Sequence, residues 1–460
     1  MKTARPPTEQ IDVGDLKVGM YVHLDMGWMS HPFPLSHFRI ATPAQLATIR
    51  SLGVRKVRWS PQQSDASFDG GPAATLPGPL PVRKGDAAND SALDDADADA
   101  VDTVPYTLPS EDNVVDATMH AQQRAHAERQ RKLARQRAAE QRCARQYAEA
   151  ARSCKQTLEL VRSKPGEARA QAEALSRAVV EKMIGEQDLC IRMLVDGAGD
   201  KASMHAMNVA VISLLMGRCF GFIEEEMQDL GVGALLHDVG KEELPARLRH
   251  RDESFSPNEL RVYQEHVEAG LVQARRMGLS AGATAVIAQH HEHADGSGFP
   301  EQLNTDRMTM AARIVALVNR YDNLCNPHVL SRALTPHDSL SLLFAQGRSK
   351  FDTSILGAFI KMMGVYPPGS MVQLTDDRYA LVVAVNSTRP LKPSVLVHEA
   401  ETPREEALVL DLESAVGLGI RRSVRTQQVP PTAIDYLQPT TRVTYFFEPA
   451  RATADVVDDE

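Results

Sequence analysis

The stretch that decides the fold is His237-Asp238-Val239-Gly240-Lys241, and a second one, His290-His291-Glu292-His293-Ala294-Asp295-Gly296-Ser297-Gly298-Phe299-Pro300, lies further along the chain. Each begins where a predicted helix ends, because the apolar spacing typical of a helix stops there and a glycine-containing turn follows. The first helix carries Gly231, Gly233 and Ala234, which are small enough to let another helix pack closely. The sequence therefore predicts histidines at two helix ends within a closely packed helical core.

Two further histidines, His205 and His266, lie in the same helical region. Any one of these histidines, taken alone, is explained as a packed or capping residue. Taken together, the histidines suggest a metal site, because neutral imidazoles suit Fe, Mn, Zn or Ni. A carboxylate between two cations neutralises charge that imidazoles cannot. Six ligands exceed the needs of one divalent ion and suit a pair about 3.5–4 Å apart, which can activate water for in-line attack on a phosphodiester. The six candidate ligands are His205, His237, Asp238, His266, His290 and His291.

The apolar pattern from 204 to 363 is helical almost throughout. Ser256-Pro257-Asn258-Glu259 is typical of a capping box with proline at the first helical position, so a helix is predicted to begin there. Past Tyr366-Pro367-Pro368-Gly369 the pattern changes to a period of two, which predicts strands at 379–385, 394–398 and 442–447. We predict a mainly α fold, with an all-helical core at 197–365 and a small β-rich domain at 366–450.

Residues 1–116 divide into two predicted parts. Residues 1–65 predict a small α+β module, with strands at 19–22 and 54–59 and a helix at 42–52 that opens with Thr42-Pro43. The segment 66–116 is acidic, with 10 acidic and 2 basic residues between 71 and 116. It has few large apolar groups to offset the entropy of ordering, so a disordered linker is predicted.

A basic helical connector is predicted at 117–196. Between 117 and 164 there are 12 basic and 4 acidic residues among good helix formers. This composition favours a solvated helix or one half of a coiled coil, which would allow a homodimer through the connector. A nucleic-acid-binding arm is the alternative, but Tyr147 is its only aromatic residue, which gives base stacking little support. Pro165-Gly166 ends this helix, and a second helix is predicted from 167 to 195.

Several of these motifs, in this order, resemble a known family. The pattern His205…His237-Asp238…Asn319 is similar to the H…HD…D ligands of the HD superfamily, and 204–359 resembles the HD-GYP class of cyclic di-GMP phosphodiesterases. The loop has Gly298-Phe299-Pro300 where the class has Gly-Tyr-Pro. Asp15-Leu16-Lys17-Val18-Gly19-Met20-Tyr21-Val22, with Gly27-Trp28 and His31-Pro32-Phe33, resembles a domain of unknown function that often precedes this class.

The resemblance implies a role for each matching residue. His205, His237, Asp238 and Asn319 would hold a first metal ion, and Asp238 would bridge to a second ion held by His266, His290 and His291. Asp238 and Lys241 would be the catalytic residues, with Lys241 facing a phosphate oxygen of the substrate. Asp295 would orient the loop or a ligand.

Two positions depart from the family pattern. Asn319 stands where the family has Asp, so one anionic ligand becomes a neutral amide. The Arg-Pro-Tyr stretch that contacts substrate phosphates in the family is replaced by 328–331, and Arg332 is the one residue that could replace that charge.

The expected function is hydrolysis of cyclic di-GMP to the linear dinucleotide pGpG, to GMP or to both, with two divalent transition-metal ions, Fe or Mn. One alternative is a receptor or scaffold that binds cyclic di-GMP or a diguanylate cyclase (GGDEF) partner without efficient turnover. Another is an HD hydrolase of a different nucleotide.

Composition argues against several other classes of protein. A formal net charge of −9 argues against a general nucleic-acid binder. The five cysteines lack CxxC spacing, as expected of reduced thiols. No apolar run approaches the length of a membrane span or a secretory signal, so a cytoplasmic protein is expected.

Overall fold

The computed structural model of the chain describes residues 8–25, 37–40, 43–64, 111–184, 188–194, 200–347, 349–386 and 389–450. Most of the predicted linker at 66–116 lies outside these ranges, as do Gly27-Trp28 and His31-Pro32-Phe33. No described helix is both long enough and apolar enough to cross a membrane.

The α-helices of the described residues are α1 Pro43–Ser51, α2 Glu111–Leu160, α3 Pro165–Ile184, α4 Lys201–Cys219, α5 Glu224–Leu236, α6 Pro257–Gln264, α7 His266–Met277, α8 Ala281–Gln289, α9 Met310–Cys325, α10 Pro336–Gln346, α11 Thr353–Met363 and α12 Pro431–Leu437. The strands are β1 Glu9–Asp12, β2 Tyr21–His23, β3 His37–Arg39, β4 Lys56–Ser60, β5 Leu189–Leu194, β6 Met371–Leu374, β7 Tyr379–Asn386, β8 Ser394–Val397, β9 Val409–Asp411, β10 Ile420–Ser423 and β11 Thr444–Pro449. The predicted fold class is confirmed: a helical core lies between an N-terminal α+β module and a C-terminal β-rich region.

The helical core is held together by close approaches at small residues. A Cβ built on Gly233 would lie 2.6 Å from Val286 Cβ, so α5 can pack this closely on α8 only with glycine at that position. A Cβ built on Gly231 would lie 2.2 Å from Ser176 Oγ, which brings α3 against another side of α5. The predicted close packing of this helix is confirmed. The capping box at the start of α6 is also confirmed, with reciprocal bonds between Ser256 and Glu259.

A seven-stranded antiparallel sheet covers one side of the helices. Its main path runs β10-β6-β7-β5-β11, and β8 and β9 extend from β7. One face, with Met371, Leu381 and Tyr445, joins the helical core. The opposite face has a small apolar core of its own around Val372 and Val382.

The helix predicted from 167 to 195 is wrong at its C-terminal end. The helix ends at Ile184, and Leu189–Leu194 is strand β5, which pairs with both β7 and β11. The connector therefore donates a strand to the C-terminal sheet. A short run that is apolar on both faces does not distinguish a buried strand from a buried helix, and the long-range pairing decides.

The basic helix α2 begins at Glu111, inside the last residues of the predicted linker, and its second half is packed within the chain. Tyr147, Ala151 and Cys154 are buried there, and the Tyr147 ring meets Phe446 of β11 edge-on. The homodimer through this connector stays a prediction.

The N-terminal module is a four-stranded antiparallel sheet in the order β1-β4-β2-β3. The core of this module contains Leu16, Val22 of strand β2 and Ile49 of helix α1. The strands and helix predicted here are confirmed, with shifts of one or two residues at their ends.

Candidate metal centre

The turn after α5 places Asp238 at the centre of the site. His237 caps the C-terminus of α5, and a 3-10 turn, Val239–Glu243, follows at once. A Cβ built on Gly240 would lie 2.0 Å from the carbonyl oxygen of His266 and 2.4 Å from Gly270 N. Glycine at 240 thus allows the turn to contact the backbone of α7, and this contact brings Asp238 to His266.

The first half of the centre lies on Oδ2 of Asp238. His205 from α4 and His237 present their Nε2 atoms 3.5 and 3.4 Å from that oxygen. The two Nε2 atoms are 3.2 Å apart. Each of the three residues therefore offers one ligand atom to a common point.

The second half lies on Oδ1 of the same carboxylate. The Nε2 atoms of His266 and His290 are 3.7 and 3.6 Å from Oδ1 and 3.4 Å from each other. His291 completes the group, with all ligand atoms within 4.8 Å of one another. Its ring stacks on Phe299 of the Gly-Phe-Pro loop, with centroids 4.5 Å apart.

Hydrogen bonds determine which ring nitrogen of each histidine is free. His237, His266 and His290 place Nδ1 2.6–2.8 Å from the carbonyl oxygen three residues earlier. A carbonyl only accepts, so Nδ1 carries the proton and Nε2 keeps its lone pair in the neutral ring. In His205, Nδ1 donates instead to Asp322 Oδ2 at 2.6 Å. The Nε2 atoms, which are the nitrogens available to a metal ion in the neutral rings, therefore face one another around Asp238.

This donor set fits a pair of cations. Two lone pairs that face each other at 3.4 Å repel, and a cation between them reverses that interaction. Asp238 Oδ1 and His291 Nε2 are buried and lack a hydrogen-bond partner among the described residues. Unpartnered buried polar atoms are costly, and metal coordination satisfies them. This His/Asp group is therefore suited to hold metal.

The protonation equilibria differ between the two halves. Burial lowers the pKa of His266 to about 3 against the opposing charge of Asp238, and burial also holds the pKa of His291 well below its usual range. For His205, burial lowers the pKa, but hydrogen bonds to Asp238 and Asp322 outweigh it and raise the pKa to about 9. Burial acts to raise the pKa of Asp238, yet the charge of Lys241 keeps it well below its usual range.

The structure brings together most of the residues predicted for the site. His205, His237, Asp238, His266, His290 and His291 converge as described. Lys241 joins them by donating from Nζ to Asp238 Oδ2 at 2.6 Å, and its ammonium lies over the ring of Tyr263. Asp295 lies in the loop, where its side chain accepts from the Ser297 amide.

Two predicted residues make other contacts. Asn319 is buried on α9, and its Oδ1 accepts a hydrogen bond from Asn323 Nδ2 at 2.6 Å. Arg332 is about half exposed, with a side-chain exposure of 52%, and pairs with Asp252 at 3.2 Å.

Sequence reasoning missed three residues near the site. Asp322 is fully buried and holds His205, as described above. Arg251 and Arg320 lie close enough to His293 for their charges to help burial lower its pKa. Within the described part of the chain, neither guanidinium makes an ion pair. The arginine-rich spacing around 247–251 and Asp322, one turn after Asn319, were the available signals.

Comparison with known proteins places two domains on the chain. The HD domain family model matches residues 188–355, and the model for DUF3391, a domain of unknown function, matches residues 8–172. The HD match begins at strand β5, and the DUF3391 match extends through α2 into α3, beyond the predicted module at 1–65.

Three curated relatives share parts of this sequence. A cyclic di-GMP phosphodiesterase of Pseudomonas aeruginosa is 26% identical over 197 residues, which are 42% of this chain and 47% of the relative. The cyclic di-GMP phosphodiesterase PdeB of Borreliella burgdorferi is 22% identical over 42% of this chain and 51% of its own length. A 3'3'-cGAMP-specific phosphodiesterase of Vibrio cholerae is 30% identical over 28% of this chain and 25% of its own length.

The chain spans about half the length of the first two of these relatives. Its own sequence carries the HD pair at His237-Asp238, the His290-His291 pair and the Gly298-Phe299-Pro300 loop in the order typical of one class. Residues 188–355 therefore match the HD domain family, residues 8–172 match DUF3391, and the chain is similar to curated cyclic di-GMP phosphodiesterases.

Proposed function

We propose that this chain is a metal-dependent phosphodiesterase that hydrolyses cyclic di-GMP to pGpG, GMP or both. The observation that carries the proposal is the Asp238 carboxylate, which lies between two groups of histidine Nε2 atoms, one group on each oxygen. Five imidazoles and one carboxylate suit first-row transition metals, and we propose Fe or Mn.

The chain's residues divide the work of such a reaction. When bound, a pair of divalent ions supplies a nucleophilic water and neutralises charge on the phosphate. Asp238 would contribute to holding both ions, and the histidines would hold them through Nε2. Lys241, already beside Asp238 Oδ2, is placed to extend toward a phosphate oxygen of the substrate as a point charge.

The cyclic di-GMP assignment is supported by the relatives named for that activity. The relative specific for 3'3'-cGAMP defines the closest rival substrate, which differs in one purine base. Both are cyclic dinucleotides with two phosphodiester bonds, so the metal centre serves either. Groups outside the metal centre must then decide between the bases.

We further propose that Arg251 and Arg320 supply the phosphate-binding charge that the family takes from its Arg-Pro-Tyr stretch. Arg332, which was predicted for this role, is paired with Asp252 and exposed. Arg320→Ala should raise KM for cyclic di-GMP by about tenfold, the size expected for a lost charge-assisted hydrogen bond. Arg332→Ala is the matched control and should change KM less than twofold. The reverse result would restore Arg332 to the role.

A second candidate function is a cyclic di-GMP receptor, or a scaffold for a diguanylate cyclase partner, with weak turnover. The observation in its favour is Asn319, a neutral residue whose side-chain oxygen is engaged by Asn323. A first site without the expected carboxylate neutralises less of the ion's charge and should bind it more weakly.

One experiment separates these candidates. The full chain is reconstituted anaerobically with Mn(II) or Fe(II), its metal content is measured, and cyclic di-GMP and 3'3'-cGAMP are supplied separately with product analysis. The proposal predicts bound metal and conversion of cyclic di-GMP to pGpG or GMP. Bound metal with saturable cyclic di-GMP binding but no product supports the receptor. Faster conversion of 3'3'-cGAMP makes it an HD hydrolase for another nucleotide.

A further inference from the structure

His205 is the one histidine of the centre whose ring is fixed by a carboxylate from another element. His237, His266 and His290 are fixed by carbonyl oxygens of their own chain segment, three residues earlier. His205 Nδ1 instead donates to Asp322 Oδ2, across from α4 to α9, at 2.6 Å.

The second oxygen of Asp322 is held by two asparagine amides. Asn208 Nδ2 donates to Asp322 Oδ1 at 2.7 Å, and Asn326 Nδ2 donates to the same oxygen at 2.9 Å. Asn208 lies one turn after His205 on α4, and Asn326 follows the end of α9. The carboxylate therefore has fixed partners on both oxygens, and its orientation toward His205 is set by the asparagines.

Both asparagines are in turn held by the backbone where β11 begins. Their Nδ2 atoms also donate to the Val443 carbonyl, at 2.9 Å from Asn208 and 2.8 Å from Asn326. Their Oδ1 atoms accept from the amides of Tyr445 and Val443, at 2.9 and 2.8 Å respectively. The two asparagine side chains thus connect strand β11 of the C-terminal sheet to Asp322.

We propose that Asp322 is a positioning residue for the first metal site and that strand β11 controls it through Asn208 and Asn326. A carboxylate that accepts from Nδ1–H fixes the tautomer of His205, leaves Nε2 free for the ion and raises the basicity of the ring. The C-terminal sheet is therefore part of the first metal site, although none of its residues is a ligand. The second site has no such connection in the described structure and should be independent of β11.

The inference rests on the proposed metal pair, and metal binding tests it without reference to turnover. Each full-length variant is prepared metal-free and titrated with Mn(II) by calorimetry, with metal content measured independently. In Asp322→Asn the affinity for one ion should fall about 10–100-fold, the usual cost of losing an outer-shell partner of a ligating histidine. The affinity for the other ion should stay within twofold of the wild type.

Two further variants grade and control this effect. Asn326→Ala leaves Asp322 and His205 intact but removes one amide between strand and carboxylate, so it should weaken the same ion by a smaller factor. Tyr321→Phe removes a different link between α9 and β11, the hydroxyl contact to Tyr445 at 2.9 Å. It should leave both affinities unchanged.

A double mutant separates positioning from a general structural role. If Asp322 acts through His205, then adding Asp322→Asn to His205→Ala should cause no further loss of metal affinity. Equal affinities in the wild type and Asp322→Asn would overturn the inference, and so would a parallel fall for both ions. A wild-type chain that binds no Mn(II) would instead contradict the proposed metal pair.

Discussion

The two halves of the candidate metal centre are built in different ways. In the second half, His266 and His290 are oriented by carbonyl oxygens of their own segments, and His291 follows directly in the chain. In the first half, His237 is also oriented by a carbonyl of its own segment, but Nδ1 of His205 is held by Asp322, which depends on α4, α9 and the start of β11. The second half is thus largely local, whereas the first half requires several distant elements to be assembled, so the first should be the more sensitive to perturbation.

Removing the residue shared by both halves should have the largest effect. Asp238→Ala takes one carboxylate oxygen from each half, so both ions should be lost and hydrolysis should fall to background. The change is read by metal content per chain and by thermal stability with and without Mn(II), since an ion that binds only the folded state stabilises it.

Asp295→Ala, at an exposed carboxylate of the loop after His291, is the control for Asp238→Ala and should keep the wild-type metal content. Equal metal in wild type and Asp238→Ala would end the assignment of a bridging carboxylate.

A change confined to the first half should have a smaller effect. Asn319 lies one turn before Asp322 on α9, and Asn319→Asp is nearly isosteric while it adds the charge that the family has there. We expect Mn(II) to bind the first site about tenfold more tightly and hydrolysis at limiting metal to rise, because a carboxylate neutralises charge that an amide does not.

Asn323→Ala is the control, because it releases the Asn319 oxygen without adding charge, and it should tighten Mn(II) binding less than Asn319→Asp does. If Asn319→Asp changes neither occupancy nor rate, Asn319 is a buried hydrogen-bonding residue and not a ligand. If occupancy rises without product, the receptor gains support.

His205 of the first half and His266 of the second should also affect stability with opposite pH dependence in protein stripped of metal. The pKa of His205 is raised to about 9, so its stabilising contribution is present below about pH 6.5 and is lost as pH rises toward 9. The pKa of His266 is lowered to about 3, so its contribution to the stability of the folded protein is present above about pH 6.5 and is lost as pH falls toward 3.

Urea unfolding across pH 5 to 9 gives the free energy of unfolding on both the acid and the alkaline limb of the stability curve. Each histidine contributes a slope of at most about 1.4 kcal/mol per pH unit in its own window. His205→Asn should flatten the alkaline limb alone, and His266→Asn should flatten the acid limb alone. If either substitution flattened the opposite limb, the assignment of a raised pKa to His205 and a lowered pKa to His266 would be wrong.

The ligands at helix ends could be predicted from sequence further than the contacts that orient His205. The helix ends at His237 and His290 and the turn at Gly240 follow from apolar spacing and glycine, and the structure places these segments together. Asp322 could not be singled out, because its role arises from hydrogen bonds between segments far apart in the chain. Strand β5 could not be predicted from sequence either, because its identity as a strand depends on long-range pairing with β7 and β11.

The contacts of charged side chains were equally inaccessible to sequence reasoning. Spacing suggested that Lys241 lies near the site, but its bond to Asp238 Oδ2 depends on the geometry of the 3-10 turn. Arg332 matched the missing charge by position alone, and the structure pairs it with Asp252 instead.

The most direct test of the account is a crystal structure of the Mn(II)-loaded chain with anomalous diffraction recorded at the manganese edge. We predict two anomalous peaks about 3.5–4 Å apart, one on each oxygen of the Asp238 carboxylate. One should lie beside His205 and His237, and the other beside His266, His290 and His291. A single peak, or peaks away from Asp238, would contradict the two-part metal centre.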